Sequence, residues 1–339
     1  MIAYYAHHHG SGHRHRATAI ARCAGVPVIG LSSGPEPQDW PGAWVALPDD
    51  AADVDPARDD VTARGHLHWV PVDNPGHRAR MHAIGSVLAS GEVALLVSDV
   101  SVEVSLLARL HGVPVVAVAQ PGDRRDPAHL LGYGIASALL APWPRRSAPG
   151  WPRDWQDKAL HVGGFSRFDG RPRTAPSGGR SVLLLWGSGG IDVDPDGIRA
   201  AAAATPGWRW RVAGPRVPAT EGDPANLTWL GWVADPWREL VDAAVVVTHA
   251  GQNAVAEVAA ARRPAVVIPQ RRPFDEQHAT AGALAAARLC AVAPAWPAAA
   301  DWAGALDEAE RVGGDGWSAW SDGQGAQRAA AELTALARR

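Results

Sequence analysis

Short runs of Val, Leu and Ile recur along this chain, and most are followed by an Ala-rich stretch of helical period. That alternation constrains the fold more than any other feature. Near-continuous apolar strands are buried on both faces, which a sheet achieves when parallel crossovers place helices on each side. In the first half, strands are expected at Ile2–Ala6, Val26–Leu31, Ala43–Leu47, His66–Val72, Val93–Ser98, Val113–Ala119 and Leu160–Val162. Helices are expected between them at Gly12–Ala24, His77–Ala89, Val102–His111 and Asp126–Ala138. In the second half, strands read at Ser181–Trp186, Trp208–Ala213, Leu227–Gly231, Ala244–Thr248, Ala265–Pro269 and Ala291–Ala293. Their helices read at Pro195–Ala204, Pro236–Val241, Gln252–Arg262, Glu276–Leu289 and Ala298–Arg311. Between the halves, Gly163–Gly179 is rich in Gly, Pro and Arg and reads as an interdomain linker.

The expectation is an α/β protein of two Rossmann-like, doubly wound domains facing a cleft. They are placed at residues 1–165 and 180–315, with a C-terminal segment, 316–339, packing back on the N-terminal domain. A chain of 339 residues, 47% apolar, has material for two cores. The net charge of −3 argues against a general nucleic-acid binder. Cys23 and Cys290 stand in no metal or redox spacing, the start lacks a signal-peptide layout, and no apolar run reaches membrane-span length. A cytoplasmic protein is expected. Peripheral contact at the inner membrane face stays open through the basic, aromatic stretch of Trp143, Arg145, Arg146, Trp151, Arg153 and Trp155, whose commoner role is interdomain surface.

Open parallel sheets bind ligands beyond the C-terminal ends of their strands, so the loops there carry the chemistry. After the first strand, Gly10 and Gly12 allow a tight turn that leaves His13 at a helix N-terminus. The positive end of the helix dipole disfavours the imidazolium, and a neutral imidazole there suits a general base. Histidines also stand at 7, 8, 9 and 15, but along a strand His7 and His9 face one way and His8 the other, and no dedicated metal site is expected. After the strand ending at Leu185, Gly187, Ser188 and Gly189 offer backbone N–H groups to an anion. Asp192, Asp194 and Asp196 follow and read as helix caps rather than metal ligands.

The third loop is the most specific. It runs from Thr248 through His249, Ala250, Gly251, Gln252 and Asn253 to Glu257, with a helix starting near Gln252. The N–H groups of Ala250 to Asn253 form an anion site, and Glu257 shares a helix face with Asn253. Phosphate at the helix tip and a sugar diol at Glu257 would fit one ligand. In the fourth loop, Glu276 and Gln277 stand at a helix start, where capping is the plain alternative.

At these residues the chain resembles the GT-B-fold glycosyltransferases. It is closest to glycosyltransferase family 28 and the MurG-type N-acetylglucosaminyltransferases, with a further likeness to the UDP-glycosyltransferase superfamily. The donor signature of that superfamily corresponds to Trp232-Val233, then His249, Gly251, Asn253 and Glu257, then Glu276-Gln277, within Leu227–Ala293. The resemblance implies that Glu257 holds a ribose and that His249 to Asn253 hold a diphosphate. It also implies that Gln277 with Glu276 contacts the sugar, and the backbone near Trp232 and Val233 the base. A looser match sets Gly10-Ser-Gly-His13 against the glycine-rich loop carrying the base, and Val97-Ser98-Asp99 against the strand-end aspartate that supports it. MurG-type proteins differ at this aspartate, and its alternative role is the N-cap of the following helix.

What the resemblance implies is an inverting, metal-independent glycosyltransferase with no cofactor. A nucleotide sugar, UDP-linked by expectation, would donate a hexose or N-acetylhexosamine to a small-molecule or lipid-linked hydroxyl. A sugar-nucleotide 2-epimerase and a non-catalytic nucleotide-sugar-binding subunit are the alternatives.

Overall fold

The computed structural model describes residues 1–147, 150–174, 178–186 and 193–339. The chain divides into two units, one made of Met1–Trp143, Gly150–Gly163 and Gln324–Arg339, the other containing Gly164–Gly323.

The first unit is built on a parallel sheet of β1 (Ile2–Ala6), β2 (Val28–Ser32), β3 (Trp44–Ala46), β4 (Leu95–Asp99), β5 (Val115–Val118), β6 (Ala138–Ala141) and β7 (Ala159–His161). Their spatial order is β3-β2-β1-β4-β5-β6-β7. The direction of winding reverses between β1 and β4, whose carboxyl ends Tyr5 and Ala6 lie beside Ser98 and Asp99. Helices α1 (Gly12–Ala21), α2 (Pro75–Ala89), α3 (Val102–Leu110), α4 (Pro127–Ile135) and the short α5 (Arg153–Asp157) make the connections. Tyr5, Leu31, Ile84, Leu96, Val104 and Val115 form a buried cluster on one face of this sheet. Each such side chain contributes about 1.5–3 kcal/mol of burial free energy.

The second unit repeats the plan. Strands β8 (Ser181–Leu185), β9 (Arg209–Ala213), β10 (Leu227–Gly231), β11 (Val245–His249), β12 (Ala265–Ile268) and β13 (Ala291–Val292) are parallel in the order β10-β9-β8-β11-β12-β13. Here the reversal falls between β8 and β11. The helices are α6 (Pro195–Ala204), α7 (Trp237–Asp242), α8 (Gln252–Ala261), α9 (Glu276–Ala286) and α10 (Trp302–Val312). Trp210 and Trp302 meet edge to face at 5.1 Å in the core, and the Trp210 indole N–H is satisfied by Thr205 Oγ1 at 2.9 Å.

The last helix, α11 (Gly325–Ala337), belongs to the first unit, with Ala326, Ala329, Ala330 and Leu333 forming its buried stripe. Gly25 donates its N–H to Thr334 Oγ1 at 3.1 Å, and Arg328 donates to the Val162 carbonyl.

Three expectations fail for identifiable reasons. His66–Val72 is no strand: the backbone N–H groups of His68 and Trp69 go to the Glu103 carboxylate, at 2.7 and 3.1 Å, instead of to a ladder. The helix expected to reach Ala138 stops at Ile135, and Ala138–Ala141 pairs between β5 and β7 as β6. Alanine-rich composition favours helix, but the vacant sheet position outweighs it. The first part of the expected linker, 164–169, is packed structure: Phe165 and Phe168 are buried in the second unit, while 170–174 are exposed.

Candidate active site

In the first unit, β1 ends at Ala6 and the chain turns through Gly10, whose φ of 70° is the left-handed region that suits glycine, into α1. Gly12 is the first residue of α1 and His13 the second. Asp99, the last residue of β4, is fully buried. His13 Nδ1 lies 2.9 Å from Asp99 Oδ1. A carboxylate only accepts, so Nδ1 carries the hydrogen and the Nε2 lone pair is left for other work. The same carboxylate accepts from Arg16 Nε at 2.9 Å and from the Tyr4 hydroxyl at 3.2 Å. Burial pushes the Asp99 pKa up, but Arg16 and His13 outweigh it and hold it at about 2.

The N-cap of α3 is Ser101, which accepts from Val104 N–H at 3.1 Å, so Asp99 is not spent on capping. Between them Val100 sits at φ 73°, a costly conformation for a β-branched residue. Ser98 pins the turn, its Oγ donating to the Ser101 carbonyl at 2.6 Å.

In the second unit, α8 starts at Gln252 after an N-cap glycine, Gly251, that supplies no side-chain bond. The first-turn N–H groups, Asn253 among them, therefore lack a side-chain cap at the point where an anion is best bound. A Cβ on Gly251 would come within 2.5 Å of the His249 ring, so only glycine fits. Gly251 N–H donates to His249 Nδ1 at 3.0 Å, which leaves Nε2 as the hydrogen-bearing nitrogen. Burial and the nearby Arg272 hold the His249 pKa down at about 4, so the ring is a neutral donor. Ala250 is buried beneath the turn, and the Trp186 ring meets His249 edge-on at 5.8 Å.

Glu257 lies one turn further along α8, its side chain 13% exposed, and its Oε1 accepts from Arg167 Nε at 2.9 Å. Burial raises the Glu257 pKa and the Arg167 guanidinium opposes that rise. Arg167 also stacks on Phe168, 4.5 Å from guanidinium to ring centre. Sequence reasoning passed over Arg167, which stood inside the supposed linker, and over Arg16 and Tyr4. Trp232 is 60% exposed directly after Gly231, and Val233 is half-buried beside it.

Gln277 is buried and its Oε1 accepts from Gln270 N–H at 2.9 Å, holding the loop after β12; Glu276 opens α9. The N-cap of α9 is Asp275, which makes no side-chain capping bond. Asp194 does cap α6, accepting from Asp196 N–H at 2.9 Å, and Asp196 pairs with Arg199. Gly187, Ser188, Gly189 and Asp192 lie outside the described residues.

The stretch considered for a membrane surface is interior at its aromatic positions. Trp143, Trp151 and Trp155 are buried, packed edge to face at 5.6 and 6.1 Å, and cannot insert into lipid from there. Among the described residues no helix is long and apolar enough to cross a membrane.

Two doubly wound units of the same strand order, each with polar groups gathered where the winding reverses, define the GT-B class of fold. Solved structures agree across the whole chain. Acinetobacter baumannii MurG superposes with a TM-score of 0.63 at 15% identity, covering 99% of this chain and 98% of that one. Phytolacca americana UGT2 complexed with UDP-2fluoro-glucose and pterostilbene superposes with a TM-score of 0.65 at 16% identity, covering 100% and 94%. Spinosyn rhamnosyltransferase SpnG complexed with thymidine diphosphate gives 0.59 at 17% identity, covering 100% and 96%. Within this fold, residues 237–295 match the family model described as the glycosyltransferase family 28 C-terminal domain. No curated protein matches the chain.

Proposed function

We propose that the chain is an inverting glycosyltransferase that moves a hexose or N-acetylhexosamine from a nucleoside-diphosphate sugar to an acceptor hydroxyl. The observation that carries this reading is the His13–Asp99 contact of 2.9 Å, which orients the imidazole as a general base. His13 Nε2 takes the proton of the acceptor hydroxyl as its oxygen attacks the anomeric carbon. The bond from that carbon to the diphosphate oxygen breaks, and its electron pair leaves with the nucleoside diphosphate. Asp99 stabilises the imidazolium that forms.

The leaving diphosphate is received by the backbone N–H groups at the start of α8, Asn253 among them, and by the His249 Nε2–H, with Arg272 adding positive charge. Glu257 Oε1 is engaged by Arg167, so Oε2 takes a ribose hydroxyl. The Trp232 ring and the Val233 backbone receive the base, and Glu276 with Gln277 the sugar. UDP is the preferred nucleotide and TDP the competitor, in line with the ligands of the two complexed structures above.

Glu257→Gln exchanges a charged acceptor for a neutral one, and the affinity for UDP is expected to fall about 10–100-fold. Calorimetric titration of the variant with UDP measures this; unchanged affinity would remove Glu257 from the ribose site. These residues stabilise the leaving group without a metal. Transfer is therefore expected to continue at full rate in excess EDTA, and strict dependence on an added divalent ion would overturn that part of the mechanism. The reading as a whole is tested by a thermal-shift panel of UDP- and TDP-sugars, followed by mass spectrometry of products formed with candidate acceptors. A chain that is stabilised by no nucleotide sugar and glycosylates nothing is not this enzyme.

A further inference from the structure

The loop between β1 and α1 holds a second group of side chains that the transfer reaction does not use. Had Ile2–Ala6 continued as a strand, His7, His8 and His9 would alternate between faces. The strand stops at Ala6, and the turn gathers the three rings instead. Ring centres lie 4.7 Å apart for His7–His8, 4.6 Å for His8–His9 and 5.1 Å for His7–His9. One ring nitrogen of each comes within 4.8 Å of the other two.

Ordinary packing explains this poorly. Three imidazoles packed together repel one another once protonated, and they supply few bonds to each other. His8 Nδ1 is buried with no hydrogen-bond partner, which a buried polar atom seldom tolerates. The His7 Nδ1 atom accepts only the His9 N–H, at a long 3.2 Å. The carboxylates of Asp49 and Asp50 act on His8 from nearby, and Arg80, which also acts on it, is paired with Asp50 at 3.4 Å.

We propose that His7, His8 and His9 form a binding site for a divalent transition-metal ion of the zinc type, with a fourth position left open to water. Zinc takes imidazole nitrogen at about 2.0–2.1 Å, which in tetrahedral geometry sets the nitrogens about 3.3 Å apart. Closing from 4.8 Å requires side-chain rotation within one turn. Arg14 Nη1 holds that turn through the Gly10 carbonyl, at 3.2 Å. Imidazole-only coordination favours zinc, copper or nickel over magnesium or calcium. The His7 ring lies 5.9 Å from that of His13, so the site neighbours the proposed base, but it does not rest on the sugar transfer proposed above, since that chemistry needs no ion.

The test uses the full chain, stripped of metal, titrated with Zn²⁺ by calorimetry and with Co²⁺ by visible absorption. One equivalent should bind, and the cobalt spectrum should show the bands of a four-coordinate site. His8→Asn and His9→Asn should each weaken zinc binding about 100-fold or more, the upper end of what losing even a ligand's supporting partner costs. The second histidine–carboxylate group, His68 with Asp126 and His129, provides the control: His68→Asn should leave zinc affinity unchanged. Absence of binding in the parent chain overturns the proposal. So does binding that survives in both loop variants, or that is lost with His68→Asn instead. Circular dichroism of the metal-free variants, on a half-exposed loop, separates loss of a ligand from loss of the fold.

Discussion

His13→Ala is expected to reduce turnover about 10²–10⁴-fold, the usual contribution of a positioned general base, while nucleotide affinity stays as it was. The two readouts separate because of where the groups stand in the chain. His13 belongs to the first unit, whereas Glu257, His249 and the start of α8 belong to the second. Single-turnover kinetics with a saturating nucleotide sugar, beside calorimetric titration with UDP, measure both. Retained turnover would remove His13 from the mechanism, and a parallel loss of UDP affinity would mean that the substitution disturbs more than the base.

Asp99→Asn is expected to act on stability and activity together. The carboxylate is completely buried and serves His13, Arg16 and Tyr4 at once. Neutralising it leaves the Arg16 guanidinium, itself buried, without its counter-charge. Breaking a buried pair from one side costs about 3–5 kcal/mol. That should lower the melting temperature of the first unit by roughly 10 °C. Turnover should fall as well, because the amide no longer enforces the Nδ1–H tautomer.

The pH dependence has a definite sign. The folded pKa of about 2 lies below the usual value of 3.8, so the stability this group contributes is present above about pH 4 and is lost as pH falls towards 2. In Asp99→Asn that portion of the acid loss should be absent. An unchanged melting temperature together with an unchanged acid limb would show that Asp99 contributes neither.

Much of this was legible in the residues, and the failures have physical causes. Periodicity placed nearly all of the strands of both sheets, because a strand buried on both faces must be apolar throughout. It also placed Gln252 at the start of α8, since His-Ala-Gly after an apolar run leaves little else. The strand Ala138–Ala141 was missed because alanine has no strand preference of its own; only the gap between β5 and β7 makes it one. His66–Val72 misled in the opposite direction, having strand composition while Glu103 occupied its backbone.

Arg167 was hidden by the composition around it, although a signal existed. Two of the chain's three phenylalanines, Phe165 and Phe168, flank it, and aromatic residues that close together seldom sit in a free linker. The three rings at His7–His9 could not be foreseen by alternation, since alternation assumes a strand that the chain has already left.

The placement of α11 has a consequence for synthesis. Residues 324–339 complete the first unit, yet they leave the ribosome after every residue of the second. The second unit can close once Gly323 is made while the first waits with the face of α1 that meets α11 still wet, so the half that begins translation is the later one to mature.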